Sequence, residues 1–99
     1  MAQDPVKVDP KHYTVEFEND KVRVVRIEYG PGEKSVMHGH PASVVVFLND
    51  SQGRFTYPDG KTEVFKGKAG QVMYFDSVEH LPENVGGQTL KVLQIELKG

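Results

Sequence analysis

Phe55-Thr56-Tyr57-Pro58-Asp59-Gly60-Lys61-Thr62-Glu63-Val64 is the stretch whose reading decides the fold class. Two short runs rich in β-branched and aromatic residues flank an Asp-Gly pair, an arrangement that predicts a β-hairpin. Moving outward, the same kind of pattern recurs. Tyr13 to Glu18 alternates apolar and polar residues, and Val22 to Tyr29 is rich in β-branched side chains. Val36 to His40, Ser43 to Leu48, Arg54 to Tyr57, Thr62 to Phe65, Gln71 to Phe75 and Leu90 to Leu97 complete the set. Turn residues separate these runs, among them Gly30-Pro31-Gly32, Asn49-Asp50-Ser51 and Gly86-Gly87. No window supports a helix of useful length. Short strands at roughly ten-residue spacing predict an all-β sandwich or barrel.

The 99 residues are enough for one domain with one modest core. Residues 1–11 carry two prolines and four charges and read as a loose N-terminal arm. Residues 12–99 form the single domain. With 37% apolar and 26% charged residues the chain reads as an ordinary soluble protein. Twelve basic and 14 acidic residues leave a net charge of -2, without any basic run. That balance argues against a nucleic-acid or membrane-surface partner. The absence of cysteine excludes disulfides, zinc–thiolate clusters and a cysteine nucleophile. The polar start, Met1-Ala2-Gln3-Asp4-Pro5, does not read as a signal peptide, and no segment suits a bilayer span. The expected location is therefore cytoplasmic.

Chemistry concentrates in three of the four histidines. Alternate residues of a strand share a face, so His38 and His40 project side by side with Gly39 turned away. His80 follows the run Gln71 to Phe75, where a turn would swing it into the same cavity. Three neutral imidazoles with open positions left over suit one divalent transition metal: iron, nickel, zinc, copper or manganese.

The frame around these histidines resembles the cupin family. Its first motif runs Gly, five residues, His-x-His, three or four residues, Glu, six residues, Gly. Here Gly32 is followed after five residues by His38-Gly39-His40-Pro41, with Gly53 later. In the second motif a His is followed after three residues by Asn. Gly70 and His80-Leu81-Pro82-Glu83-Asn84 resemble it. The likeness spans roughly residues 32 to 84, a specific match because both motifs occur in order on an all-strand chain. It implies a cupin double-stranded β-helix, a jelly-roll barrel of the small single-domain bacterial type. It also implies a metal held inside by His38, His40 and His80, and a homodimer, since such chains must pair or cover their sheet edges.

Two departures matter. The motif glutamate is missing: its place falls on Val44 or Val45 counted forward, or on Ser43 counted back from Phe47-Leu48. The Pro and Gly that precede the second-motif histidine are also replaced. Without the carboxylate, three imidazoles leave a divalent ion near its full charge, which favours an anionic chelator. The ligand set resembles three-histidine cupin oxygenases such as cysteine dioxygenase and the acetylacetone-cleaving dioxygenase. The expected function is a mononuclear metal enzyme acting on a small organic acid or diketone-like chelator, with dioxygen chemistry if the metal is iron. The alternative is a module that binds metal or small ligands without turnover.

Gln94 or Gln71 is a candidate fourth ligand, and Asn84 a candidate to hydrogen-bond a ligand or orient His80. Asp76 and Glu79 flank His80 and would serve the same end, or stand as exposed loop acids. Met37, Phe47, Tyr57, Met73 and Tyr74 are the expected pocket or core walls. His12, without a partner at ligand spacing, reads as a surface residue.

Overall fold

A computed structural model describes residues 3–99; Met1 and Ala2 lie outside the described residues. One helical turn, α1 (Pro5–Val8), precedes nine strands: β1 (Tyr13–Glu18), β2 (Val22–Tyr29), β3 (His38–His40), β4 (Ser43–Phe47), β5 (Ser51–Thr56), β6 (Thr62–Gly67), β7 (Val72–Phe75), β8 (Val78–Asn84) and β9 (Leu90–Leu97). They form two antiparallel sheets, a five-stranded one ordered β1-β2-β9-β4-β7 and a four-stranded one ordered β3-β8-β5-β6. The expected hairpin is present, with Thr56 opposite Thr62 and Gly60 at φ +88°, a left-handed conformation suited to glycine.

The period-2 pattern decides which residues face inward. On β2 these are Val25, Ile27 and Tyr29, on β4 Ser43, Val45 and Phe47, and on β9 Leu90, Val92, Gln94 and Glu96. The apolar members stack at one end of the barrel and make the core. Each such side chain contributes about 1.5–3 kcal/mol when fully buried. The polar members, Ser43, Gln94 and Glu96, sit at the other end, and that is where the histidines are.

Gly53 is confined for a different reason. A Cβ there would lie 2.3 Å from the ring of Phe65, so only glycine lets that ring cross the strand. Phe65 in turn stacks on Phe55 at a centroid distance of 4.5 Å.

Three expectations are corrected. His80 is not on a turn after a strand; it is the third residue of β8, with its Cα paired to His38. Pro82 and flanking acids disguise this strand in the sequence. Pro82 is tolerated because its carbonyl accepts the Ser35 N–H, so its missing N–H also faces the side lined by residues 34–36, before β3 begins at His38. The N-terminal segment, expected as a loose arm, is docked on the barrel. Pro5 is buried, Asp4 caps α1 through the Val6 N–H at 3.0 Å, and the Gln3 carbonyl accepts the Gly39 N–H at 2.8 Å. His12 is buried too, 7% exposed, with its ring stacked on Tyr29 at 4.4 Å. Its Nδ1 meets Asp9 at 2.8 Å and its Nε2 meets Glu33 at 3.1 Å, which satisfies both nitrogens away from water.

Candidate metal centre

The three histidines converge. β3 presents His38 and His40 to the interior with Gly39 between them, and antiparallel pairing sets His80 of β8 directly opposite His38. Ring centroids lie 4.8 Å apart for His38 and His40, and 5.2 Å for each of the other two pairs. One nitrogen of each ring lies within 4.8 Å of the others. Small ring rotations bring such a set to the roughly 2.1 Å that a metal–imidazole bond needs.

Neighbouring groups select which nitrogen points inward. His38 Nδ1–H donates to the Val36 carbonyl at 2.8 Å, and His40 Nδ1–H donates to Glu96 Oε2 at 2.9 Å. Phe55 stacks on His80 at 4.5 Å and 19°, which fixes its plane. The Nε2 atoms of His38 and His80 are buried with no hydrogen-bond partner among the described residues. Unpaired buried polar atoms are costly and call for an explanation. His38 Nε2 carries a free lone pair, because its Nδ1 holds the proton given to Val36, and the three rings together offer a donor set that could hold a divalent ion.

The electrostatics agree. Burial pushes His38 down to about 4, helped by the neighbouring His40, and pushes His80 down to about 3, helped by both other rings. These two rings are neutral at physiological pH and ready to act as ligands. For Glu96 burial works to raise the carboxyl, but hydrogen bonds from His40 and Arg23 outweigh it and hold the pKa below its ordinary value. Arg23 Nε donates to Glu96 Oε1 at 2.7 Å, and both terminal nitrogens of Arg23 bond the Asp4 carboxylate at 3.0 Å.

A cavity of about 80 Å3 opens beside His40 and His80. Its wall is largely aromatic, including Phe47, Phe55, Phe65 and Phe75, with Tyr57 and Gln94 contributing polar atoms. Val45 also faces it and stands directly opposite Gln94 on β9. Of the candidate positions for the missing glutamate, Val45 and Ser43 point inward and Val44 outward. The Gln94 amide donates to Ser43 Oγ at 2.8 Å.

Several candidates lie elsewhere. Gln71 is exposed and accepts the Lys68 N–H in a turn, so it cannot reach the cavity. Asn84 is buried, but its amide donates to the Tyr29 and Gln88 carbonyls while its oxygen accepts the Gly86 N–H. It pins the Val85–Gln88 loop and does not touch His80. Tyr74 is 58% exposed on the outer sheet face, because β7 alternates and Phe75 takes the inward position. Met73 packs partly buried against the core, and Met37 is half-buried; neither lines the cavity. Asp76 and Glu79 are exposed.

Sequence reasoning missed Glu96, Arg23, Phe55 and Tyr13. Tyr13 is fully buried against two of the imidazoles, with centroids 4.9 Å from His38 and 5.9 Å from His40. Its hydroxyl bonds that of Tyr29. The alternation of β9 carried a signal for Glu96, since Leu90, Val92 and Gln94 share its parity, and that of β2 carried one for Arg23, which shares the parity of Val25, Ile27 and Tyr29; the other two had none.

No protein-family model and no curated protein matches the chain. Solved structures do. A cupin domain from Bordetella pertussis Tohama I is 25% identical, over 88% of this chain and 92% of that chain, with a TM-score of 0.80. Oxalate decarboxylase from Bacillus subtilis, known for its Mn(II) centres, is 25% identical with a TM-score of 0.61, over 80% of this chain and 22% of that chain. The polyketide cyclase RemF from Streptomyces resistomycificus is 21% identical with a TM-score of 0.63, over 88% of this chain and 64% of that chain. By its sheet topology and this likeness, the chain has the cupin fold, a double-stranded β-helix, and is similar to cupin-domain proteins of bacterial origin.

Proposed function

We propose that this cupin is a mononuclear metal protein in which His38, His40 and His80 hold a divalent transition-metal ion, and that it acts as an enzyme on a small anionic chelator, an organic acid or a diketone-like compound. The observation that carries this reading is the pair of buried, unpartnered Nε2 atoms of His38 and His80 facing the same point as His40. When bound, the metal supplies Lewis acidity at its open positions, and dioxygen chemistry where it is iron. The chain's own residues do the rest. Val36 and Glu96 hold two rings in the ligating tautomer, Phe55 holds the third, and Phe47 and Phe75 keep the cavity dry. Gln94 offers an amide to the ligand or to the metal's fourth position. Solved neighbours that are a decarboxylase with Mn(II) centres and a polyketide cyclase support catalysis on this frame.

The test is elemental analysis of the purified protein, followed by oxygen uptake with a panel of small acids and diketones on the iron-loaded form. One metal per chain in the wild type, lost in His38→Ala and His80→Ala, supports the centre. Full metal retained in both variants sinks it.

A second reading is favoured by one observation: among the described residues, the cavity wall lacks a free carboxylate or lysine to act as a general base. Glu83, at its rim, is engaged by Arg54 at 2.9 Å. A module that binds a metal and a chelator without turnover needs no such group. Tight chelator binding without product in the same assays selects it.

We also propose that two copies pair through the outer face of the five-stranded sheet. Phe17, Val24, Ile95, Val44 and Tyr74 align in register as one apolar row across all five strands, and Phe17 and Tyr74 are more than half exposed. The charges nearby, Arg26 with Glu16 and Lys98 with Glu18, are paired within the chain, so two copies of this face meet without like-charge repulsion. Sedimentation of wild type against Phe17→Lys/Tyr74→Lys tests it: a monomer in both overturns the pairing.

A further inference from the structure

Three separate connections join the N-terminal segment to the His38-Gly39-His40 strand. The first is main-chain: the Gly39 N–H donates to the Gln3 carbonyl at 2.8 Å, which covers the free edge of β3. The second runs from His40 through Glu96 and Arg23 to Asp4, with links of 2.9, 2.7 and 3.0 Å. The third runs from the His38 Nδ1–H, whose shorter bond goes to the Val36 carbonyl at 2.8 Å, along a longer second arm to Ser35 Oγ at 3.3 Å, and from the Ser35 hydroxyl to Asp9 Oδ2 at 2.6 Å. His12 Nδ1 meets the same Asp9 oxygen at 2.8 Å. Each ligand of β3 is thus backed by a different carboxylate of one segment, and the glycine between them is tied to the same segment.

We propose that residues 3–12 are a strap that positions the metal ligands, so that docking of the strap and binding of the metal are thermodynamically coupled. This rests on the metal-centre reading above. Asp4 and Asp9 are positioning residues; neither touches the ion's place. The physical reason is polarisation. A cation on Nε2 withdraws electrons from the ring and makes Nδ1–H a stronger donor, so the hydrogen bonds toward Asp4 and Asp9 strengthen in the loaded state. By linkage, whatever the metal adds to strap docking, the docked strap adds to metal affinity. The arrangement also answers the missing motif glutamate. The negative charge absent from Val45 stands one layer out, where Glu96 and Asp4 together outweigh Arg23 by one charge.

The test uses the full chain with cobalt(II) and zinc(II) as probes. Asp4→Asn/Asp9→Asn is expected to weaken cobalt binding about 10-fold or more and to alter the visible cobalt d–d spectrum, with Asp4→Glu recovering part of the loss in an Asp4→Asn background comparison. In the wild type, zinc is expected to slow hydrogen exchange of the amides in residues 4–12 beyond its effect on β5 and β6, a measurement that needs no variant. Equal cobalt affinity and spectrum in wild type and double variant overturns the coupling, as does strap exchange indifferent to zinc. Failure of the wild type to take up cobalt at all overturns the metal centre along with it, so the two failures are told apart.

Discussion

Glu96 Oε2 accepts the His40 Nδ1–H at 2.9 Å although the residues are 56 apart in the chain and both side chains are less than 5% exposed. The carboxylate sits behind the imidazole and leaves Nε2 free for the cavity side. Replacing it by glutamine keeps the shape and removes the charge. Glu96→Gln is expected to weaken zinc or cobalt binding by about 10- to 100-fold, the usual cost of losing a partner behind a ligating histidine. Competition titration with a chromophoric chelator measures it, and an unchanged affinity would show the pair to be structural only.

Val45 occupies the inward position of the absent glutamate and faces Gln94. Val45→Glu is expected to act in opposite directions on the two states. The metal-free protein loses stability by about 1–3 kcal/mol, because a carboxyl enters an apolar wall. The loaded protein gains affinity for manganese(II) or iron(II), because a carboxylate joins three imidazoles. Urea unfolding of both forms reads the two effects, and lower affinity in the variant would place Val45 outside reach of the ion.

The depressed histidines make the metal-free protein acid-sensitive. His38 is held near 4 and His80 near 3, against 6.5 for a free ring. Between pH 6.5 and those values the unfolded chain binds protons that the folded chain refuses. Stability is therefore full above about pH 7 and falls as pH drops through that window, by at most about 1.4 kcal/mol per pH unit for each ring. His80→Phe is expected to flatten part of the profile. A urea midpoint equal at pH 7 and pH 5 in the metal-free wild type would contradict the burial of these rings.

Gly53→Ala places a methyl group 2.3 Å from Phe65. Overpacking of this kind costs about 1–3 kcal/mol, and it also disturbs the stack from Phe65 through Phe55 to His80. Both thermal stability and metal affinity are expected to drop. Gly87→Ala, with nothing within 4 Å, is the control and is expected to leave both unchanged.

Strand parity and turn residues were legible without coordinates, because the side-chain period of a strand is local. The hairpin at Asp59-Gly60 and the side-by-side placement of His38 and His40 follow from it directly. β8 was not legible, since Pro82 and its acidic neighbours contradict a strand locally and are accommodated only because Pro82 lies beyond the stretch of β8 that pairs with β3. Met37 and Tyr74 were misplaced for the converse reason. Their apolar character is real, but one sheet face points outward, and composition does not say which.

The sequence by itself determined that the chain is all-β, that His38, His40 and His80 stand at the spacings of a candidate metal site, and that the motif's carboxylate is missing beside them. Only the tertiary structure decided what stands in its place. Glu96, Arg23 and Asp4 come from β9, β2 and the N-terminal segment, and they meet behind His40 because sheet register and the docking of α1 bring them there. Such meetings depend on long-range pairing, on which spacing along the chain is silent.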